Sequence, residues 1–156
     1  MSVAFRRESD EEHLEPKFER PIAPGPNLVT PRGLALIGAK VVELEAAVAD
    51  AASGEDRDAV LRELRYWHTR QTTAEVVASA AEGEVGIGST VTYRLNGVER
   101  SVEIVGGDEA DPAAGKIGYQ APLARALIGA EVGERVDFAG KDEAIEVIAV
   151  STSGVA

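Results

Sequence analysis

Residues 30–77, TPRGLALIGAKVVELEAAVADAASGEDRDAVLRELRYWHTRQTTAEVV, decide how this chain folds. Thr30 offers a hydroxyl that can cap a helix, and Pro31 fits the first helical position, where its missing N–H costs nothing. Leu34, Ile37, Val41, Leu44 and Val48 then recur at spacings of 3, 4, 3 and 4. That is the seam of a helix packed along a partner of the same kind. Ser53 and Gly54 break the pattern. Glu55, Asp56, Arg57 and Asp58 supply a turn and an acidic start to a second helix, whose N-terminal partial positive charge favours carboxylates. Val60, Leu64, Trp67, Gln71 and Ala74 follow at spacings of 4, 3, 4 and 3. Two helices joined by so short a turn lie antiparallel, so residues 30–77 are expected to form a coiled-coil hairpin with an acidic tip. At 1.5 Å per residue, arms of about 20 residues reach about 30 Å.

Working outward, residues 78–88 form a linker of Ala, Gly and Glu, after which the apolar period falls to 2. Val91, Tyr93 and Leu95 alternate with polar residues, Asn96-Gly97 is a type I′ turn signal, and Val98, Val102 and Ile104 continue beyond it. A polar loop over 106–115 leads to a short strand at Ile117 and Tyr119. Pro122 opens a brief helix that Gly129 closes. Val136 and Phe138, then Ile145 and Val147, read as two more strands. Residues 89–150 therefore form a small antiparallel sheet with one short helix against it, and the chain as a whole is α+β. Upstream, residues 1–29 lack apolar periodicity and hold Pro21, Pro24 and Pro26, the pattern of a flexible or surface-draped arm. Residues 151–156 are a tail.

Composition narrows the chemistry. A chain of 156 residues, 44% hydrophobic and 28% charged, is an ordinary globular composition. The absence of cysteine removes disulfides, thiolate metal sites and a thiol nucleophile. Two histidines, His13 and His68, are too few for a histidine metal site or triad. A net charge of −11 is the wrong sign for binding duplex phosphates by bulk electrostatics. No apolar run approaches the roughly 18 residues of a membrane span, and Met1 to Arg7 leads into no apolar signal segment, so a cytoplasmic protein without membrane contact is expected.

The second unit resembles a known family. Ile104-Val105-Gly106, Asp108-Glu109-Ala110-Asp111-Pro112, Gly115-Lys116-Ile117, Pro122-Leu123-Ala124-Arg125-Ala126-Leu127-Ile128-Gly129 and Val132-Gly133-Glu134 are similar, in order and spacing, to the C-terminal pattern of the GreA/GreB transcript-cleavage factors of bacterial RNA polymerase. Leu28-Val29-Thr30-Pro31-Arg32-Gly33 resembles the opening of that family's first coil helix. The resemblance covers about residues 28–150. It implies an N-terminal antiparallel coiled coil, a C-terminal domain with an FKBP-like fold that docks at the rim of the polymerase secondary channel, and RNA polymerase as partner. It also implies two tip carboxylates that help hold a catalytic magnesium ion while the polymerase cuts backtracked RNA. Hard oxygen ligands suit magnesium, and such a metal activates water and steadies a leaving oxygen.

Carried over residue by residue, Gly54-Glu55-Asp56-Arg57-Asp58 places Glu55 and Asp58 at the acidic tip positions, with their types exchanged. The bland reading of both is helix capping and dipole pairing. The resemblance makes Asp108, Glu109, Asp111, Pro122 and Arg125 candidate polymerase contacts, the acidic three serving the domain's structure as well as docking. Arg57, Arg62, Arg65 and Arg70 give the second helix a basic side that can face the RNA 3′ end or an acidic polymerase surface, or else a solvated face in which Asp58 pairs with Arg62 at i,i+4. Trp67 falls on the seam near the junction with the second unit, and His68 lies beside it. The implied function is an elongation factor that stimulates the polymerase's own transcript hydrolysis and is not itself an enzyme. No cofactor is intrinsic, magnesium is shared with the polymerase, and nascent RNA is met only within the complex. Because the seam is satisfied within one chain, a monomer is expected. The arms look about ten residues shorter than the family's, about 15 Å less reach. That keeps open a second reading, a non-cleaving secondary-channel regulator resembling nucleoside diphosphate kinase regulators. A free-standing peptide-binding module ranks last, since only Tyr93, Tyr119 and Phe138 could line its pocket.

Overall fold

A computed structural model describes residues 19–51 and 54–152. A short strand, β1 (Asn27–Val29), leads through Thr30 into helix α1 (Pro31–Asp50), and helix α2 (Glu55–Thr73) runs on into β2 (Ala74–Val76). Thr30 is the cap expected of it: its hydroxyl accepts from the Gly33 amide at 2.9 Å, and Pro31 occupies the first turn. The two helices run in opposite directions, since Val48 meets Arg57 near one end while Gly38 faces Gln71 near the other. Val29, Ile37, Val41, Leu44 and Trp67 form their buried core, with Val60, Leu64, Tyr66 and Ala74 packed against it. Fully burying side chains of this size contributes about 1.5–3 kcal/mol each.

The seam departs from the heptad reading at its first position. Leu34 is 36% exposed, and Gly33 is buried in its place. Gly33 faces Glu109, a residue of the second unit, so the first turn of α1 packs on the sheet domain and not on α2. At the base, β1 and β2 pair in parallel over three residues, and the Val77 amide extends the pairing to Val29 O at 2.9 Å. One strand of this small sheet, β1, lies inside the stretch 1–29 read as an arm. Three residues are too few to show a period, and their partners lie 47 residues away. Residues 1–18 of that arm, Ser53 in the tip turn and residues 153–156 of the tail lie outside the described residues.

The second unit is a five-stranded sheet in the order β5-β4-β3-β7-β6, built from β3 (Ser89–Leu95), β4 (Val98–Val105), β5 (Lys116–Gly118), β6 (Arg135–Phe138) and β7 (Lys141–Thr152). A short helix, α3 (Pro122–Leu127), covers one face. Asn96 and Gly97 take φ of 54° and 78°, the left-handed pair that a type I′ hairpin needs. The sheet is mixed where an antiparallel one was expected. Two 3₁₀ turns, Gly107–Glu109 and Pro112–Ala114, carry the chain back along the sheet edge, so β5 pairs with β4 in parallel, Ile104 opposite Ile117. Val91, Tyr93, Ile104, Ile145 and Val147 from the sheet pack on Ala124 and Leu127 of α3. Val85, in the stretch read as linker, is buried in the same core at 2% exposure.

Candidate functional site

The tip is built by the start of α2. Its N-cap, Gly54, has φ 76° and no side chain to offer, so the first-turn amides are not closed by a side-chain cap. Glu55 and Asp58 follow, both exposed and one helical turn apart. Neither carboxylate makes a hydrogen bond or close ion pair among the described residues, and Asp58 does not pair with Arg62, although its charge acts at longer range on Arg65. A capping role for either therefore reduces to a favourable interaction with the helix dipole. Among the described residues no three acidic or histidine side chains gather as a metal site. Two unengaged oxygen donors of this kind suit a share in a hard cation held elsewhere, not a complete cage.

The arginines of the basic side divide. Arg57 Nη1 donates to the Val48 carbonyl at 2.9 Å and is engaged within the hairpin. Arg65 holds Glu19 through two bonds of 2.8 and 2.7 Å. That pairing pushes the Glu19 carboxyl below its usual range and raises Arg65, with Arg62 adding a weaker pull on Glu19. The next residue, Arg20, pairs with Glu63 at 2.9 Å and lies 4.0 Å over the Tyr66 ring. Glu19 and Arg20 thus rest on the side of α2 that the sequence offered to RNA. His68 is exposed, 3.5 Å from Glu45. Trp67 is buried, edge-on to Tyr66 at 5.1 Å, and its indole N–H has no partner among the described residues.

Asp108 and Glu109 sit in the joint between the units, not on its surface. The Asp108 side chain, 6% exposed, accepts from Tyr66 Oη at 2.5 Å and from Arg70 Nε at 2.6 Å. Arg70 in turn donates to Asn27 Oδ1 at 2.7 Å, and Asn27 Nδ2 donates back to the Arg70 carbonyl at 2.9 Å. Burial, then the bond to Asp108, pushes the Tyr66 hydroxyl above its ordinary value. Glu109 accepts from Thr30 Oγ1 at 2.7 Å, so the same hydroxyl that caps α1 also ties that helix to the sheet domain. Arg32 adds a contact to Glu109 at 3.6 Å and an ion pair to Glu103, which Lys116 reaches from the other side at 2.9 Å. Tyr119 Oη closes the joint by donating to Pro26 O at 2.7 Å. The Asp108–Arg70 pair and the Glu109 carboxylate are buried and hydrogen-bonded, the condition under which buried charge fixes geometry without a large desolvation loss, while Arg32 is half exposed.

Asp111, Pro122 and Arg125 remain at the surface. Asp111 pairs through its backbone with Lys116. Pro122 and Arg125 stand on α3 and, with Ala126, Asp137, Phe138 and Ala139, line an open cleft of about 470 Å³ between that helix and β6. Asn27, Arg32 and Tyr66 were not singled out as a site from the sequence, and Arg70, read as part of the basic side, turns instead into the joint. Asn27 and Arg70 are 43 positions apart, and no local pattern links them.

The family model described as "Transcription elongation factor, GreA/GreB, C-term" matches residues 80–152. A transcription elongation factor GreA of Lactococcus lactis subsp. cremoris (strain MG1363) is 42% identical over 100 residues, 61% of this chain and 60% of the relative. The chain thus spans less than two thirds of that relative's length. A GreA of Bacillus anthracis (strain CDC 684 / NRRL 3495) is 31% identical over 122 residues, 70% of this chain and 77% of the relative. The solved structure of a prokaryotic transcription elongation factor GreA/GreB from Nitrosomonas europaea aligns with a TM-score of 0.40 at 20% identity, covering 82% of this chain and 99% of that one.

Proposed function

This chain belongs to the GreA/GreB family, and from that premise we propose that it is a transcription elongation factor that binds RNA polymerase at the secondary channel and stimulates cleavage of backtracked RNA. The observation that carries the reading is the exposed, unengaged pair Glu55 and Asp58 at the far end of a hairpin whose base is bolted to the second unit. The surface of Asp111, Pro122 and Arg125 is the docking face. Asp108 and Glu109 serve docking indirectly, by setting the angle at which the hairpin leaves it. We read the hairpin as a coiled coil and the sheet unit as FKBP-like.

Each part has a defined task. The docking face brings the tip to the channel, the buried joint keeps the hairpin from swinging, and Glu55 and Asp58 present carboxylate oxygens where the reacting phosphodiester lies. Magnesium held jointly there with the polymerase supplies the activation of water and the stabilisation of the leaving oxygen. The hydrolysis is the polymerase's, and the free chain acts as a cytoplasmic monomer.

Helices of 20 and 19 residues favour a second reading. About 30 Å of reach that stops short of the active centre makes the protein a channel-occupying regulator without cleavage. Labelled RNA in stalled, backtracked complexes of the cognate polymerase separates the two readings. Faster cleavage with the intact chain, lost in Glu55→Ala/Asp58→Ala although that variant still binds, is the expected result. Binding by both with cleavage by neither establishes the regulator.

A further inference from the structure

We infer that Arg57 is a positioning residue for the tip carboxylates and not a contact for RNA, an inference that rests on the cleavage reading above. Helix α1 ends at Asp50, and the carbonyls of its last turn have no intrahelical donors. The Ala51 amide takes the Ala47 carbonyl at 2.9 Å. The next carbonyl, that of Val48, is taken by Arg57 Nη1 from the first turn of α2. Among the described residues this is the only side-chain hydrogen bond from one helix to the other. No basic residue occupies the last turn of α1, so the guanidinium also supplies the positive charge which that end of the helix dipole favours.

Two consequences follow for Glu55 and Asp58. First, α2 begins at a glycine with φ 76° that carries no side chain to pin it, so without a clamp its first turn can pivot about Gly54. The bond to Val48 O removes that freedom at the turn that bears both carboxylates. Second, Arg57 lies between them in sequence yet pairs with neither, because its donors point at α1. A basic residue that neutralised the tip would compete with a cation. This one stiffens the tip and leaves its oxygens open. Shared metal coordination needs placement within about 0.5 Å, and that makes the stiffness functional.

The test uses the full chain carrying Arg57→Met, which keeps the stem and removes the donors, and Arg57→Lys, which keeps a donor. Each is measured for RNA cleavage in backtracked complexes across a magnesium titration, and separately for polymerase affinity by competition. The chain has no cysteine, so nitroxides on Ala49→Cys and Ala59→Cys report the separation of the helix ends in the free protein. Arg57→Met is expected to broaden that distance distribution, lower the maximal stimulated rate about tenfold and leave polymerase affinity unchanged, with Arg57→Lys restoring most of the rate. Wild-type cleavage by Arg57→Met overturns the inference. So does a loss of rate accompanied by weaker binding and an unchanged distance distribution, the signature of an RNA contact. Failure of the cleavage reading itself shows separately in the same assay, as binding by the intact chain without stimulated cleavage.

Discussion

Gly33→Ala tests whether the joint governs the first turn of α1. In an ordinary helix the change gains about 1 kcal/mol, because glycine is the poorest helix former after proline. Here the added Cβ would lie 2.2 Å from Glu109 Oε2, 2.7 Å from its Cδ and 3.1 Å from its Cγ. Glu109 cannot simply swing aside: it is 7% exposed and held by Thr30 Oγ1 at 2.7 Å. Displacing it forfeits a charge-assisted hydrogen bond of about 1.5–3 kcal/mol and leaves a buried carboxylate short of a donor, a further cost of about 1–3 kcal/mol. Net of the helix gain, a loss of about 1.5–5 kcal/mol is expected. Gly38→Ala is the internal control. Its Cβ meets only Gln71 Nε2 at 3.7 Å, an ordinary contact, so the propensity gain survives and the variant is stabilised by about 0.5–1 kcal/mol. Both are read as shifts in urea midpoint at constant m-value, followed by helical circular dichroism. If Gly33→Ala unfolds at or above the wild-type midpoint, the carboxylate is not fixed where the joint requires it, and the argument for a rigid hairpin base fails.

Three further expectations rest on the same contacts. Asp108→Leu strands the guanidinium of Arg70, 13% exposed, and should cost about 3–5 kcal/mol, whereas Arg70→Met/Asp108→Leu together should cost clearly less than the sum of the single changes; a double-mutant cycle by urea unfolding decides it. Tyr66 has its pKa raised in the folded chain, so its contribution is complete below the ordinary tyrosine value of 10.0 and is lost as pH rises through the folded value; stability between pH about 9 and 11 should fall less steeply in Tyr66→Phe. Ala139 holds φ 54° in the β6–β7 turn, a conformation that asparagine accepts more readily, so Ala139→Asn should raise the melting temperature by a few degrees, about 2–4 °C per kcal/mol.

Periodic and turn-forming stretches could be read directly. The helices starting after Thr30 and Gly54, the Asn96-Gly97 hairpin and the Pro122 helix all depend on residues within a few positions of one another. Leu34 was misplaced because a heptad assumes one partner helix, whereas the first turn of α1 has a second neighbour in the 3₁₀ turn bearing Glu109. The mixed sheet was illegible for a related reason: strand direction after a ten-residue loop depends on how that loop crosses the sheet edge, and alternation carries no sign of direction. The site followed the same division. Glu55 and Asp58 came to attention through the resemblance carried by Gly54-Glu55-Asp56-Arg57-Asp58, and the structure leaves both exposed at the start of α2. Asp108 and Arg70 each look like one more surface charge until the fold brings them to 2.6 Å. Arg57 marks the boundary between the two cases. Its place in an acidic turn suggested a basic surface, but the end of α1 needed a donor that no residue in its last turn could supply. A charged side chain beside a helix terminus is therefore better assigned by first asking which backbone carbonyls lack partners, and only then which external anion it could meet.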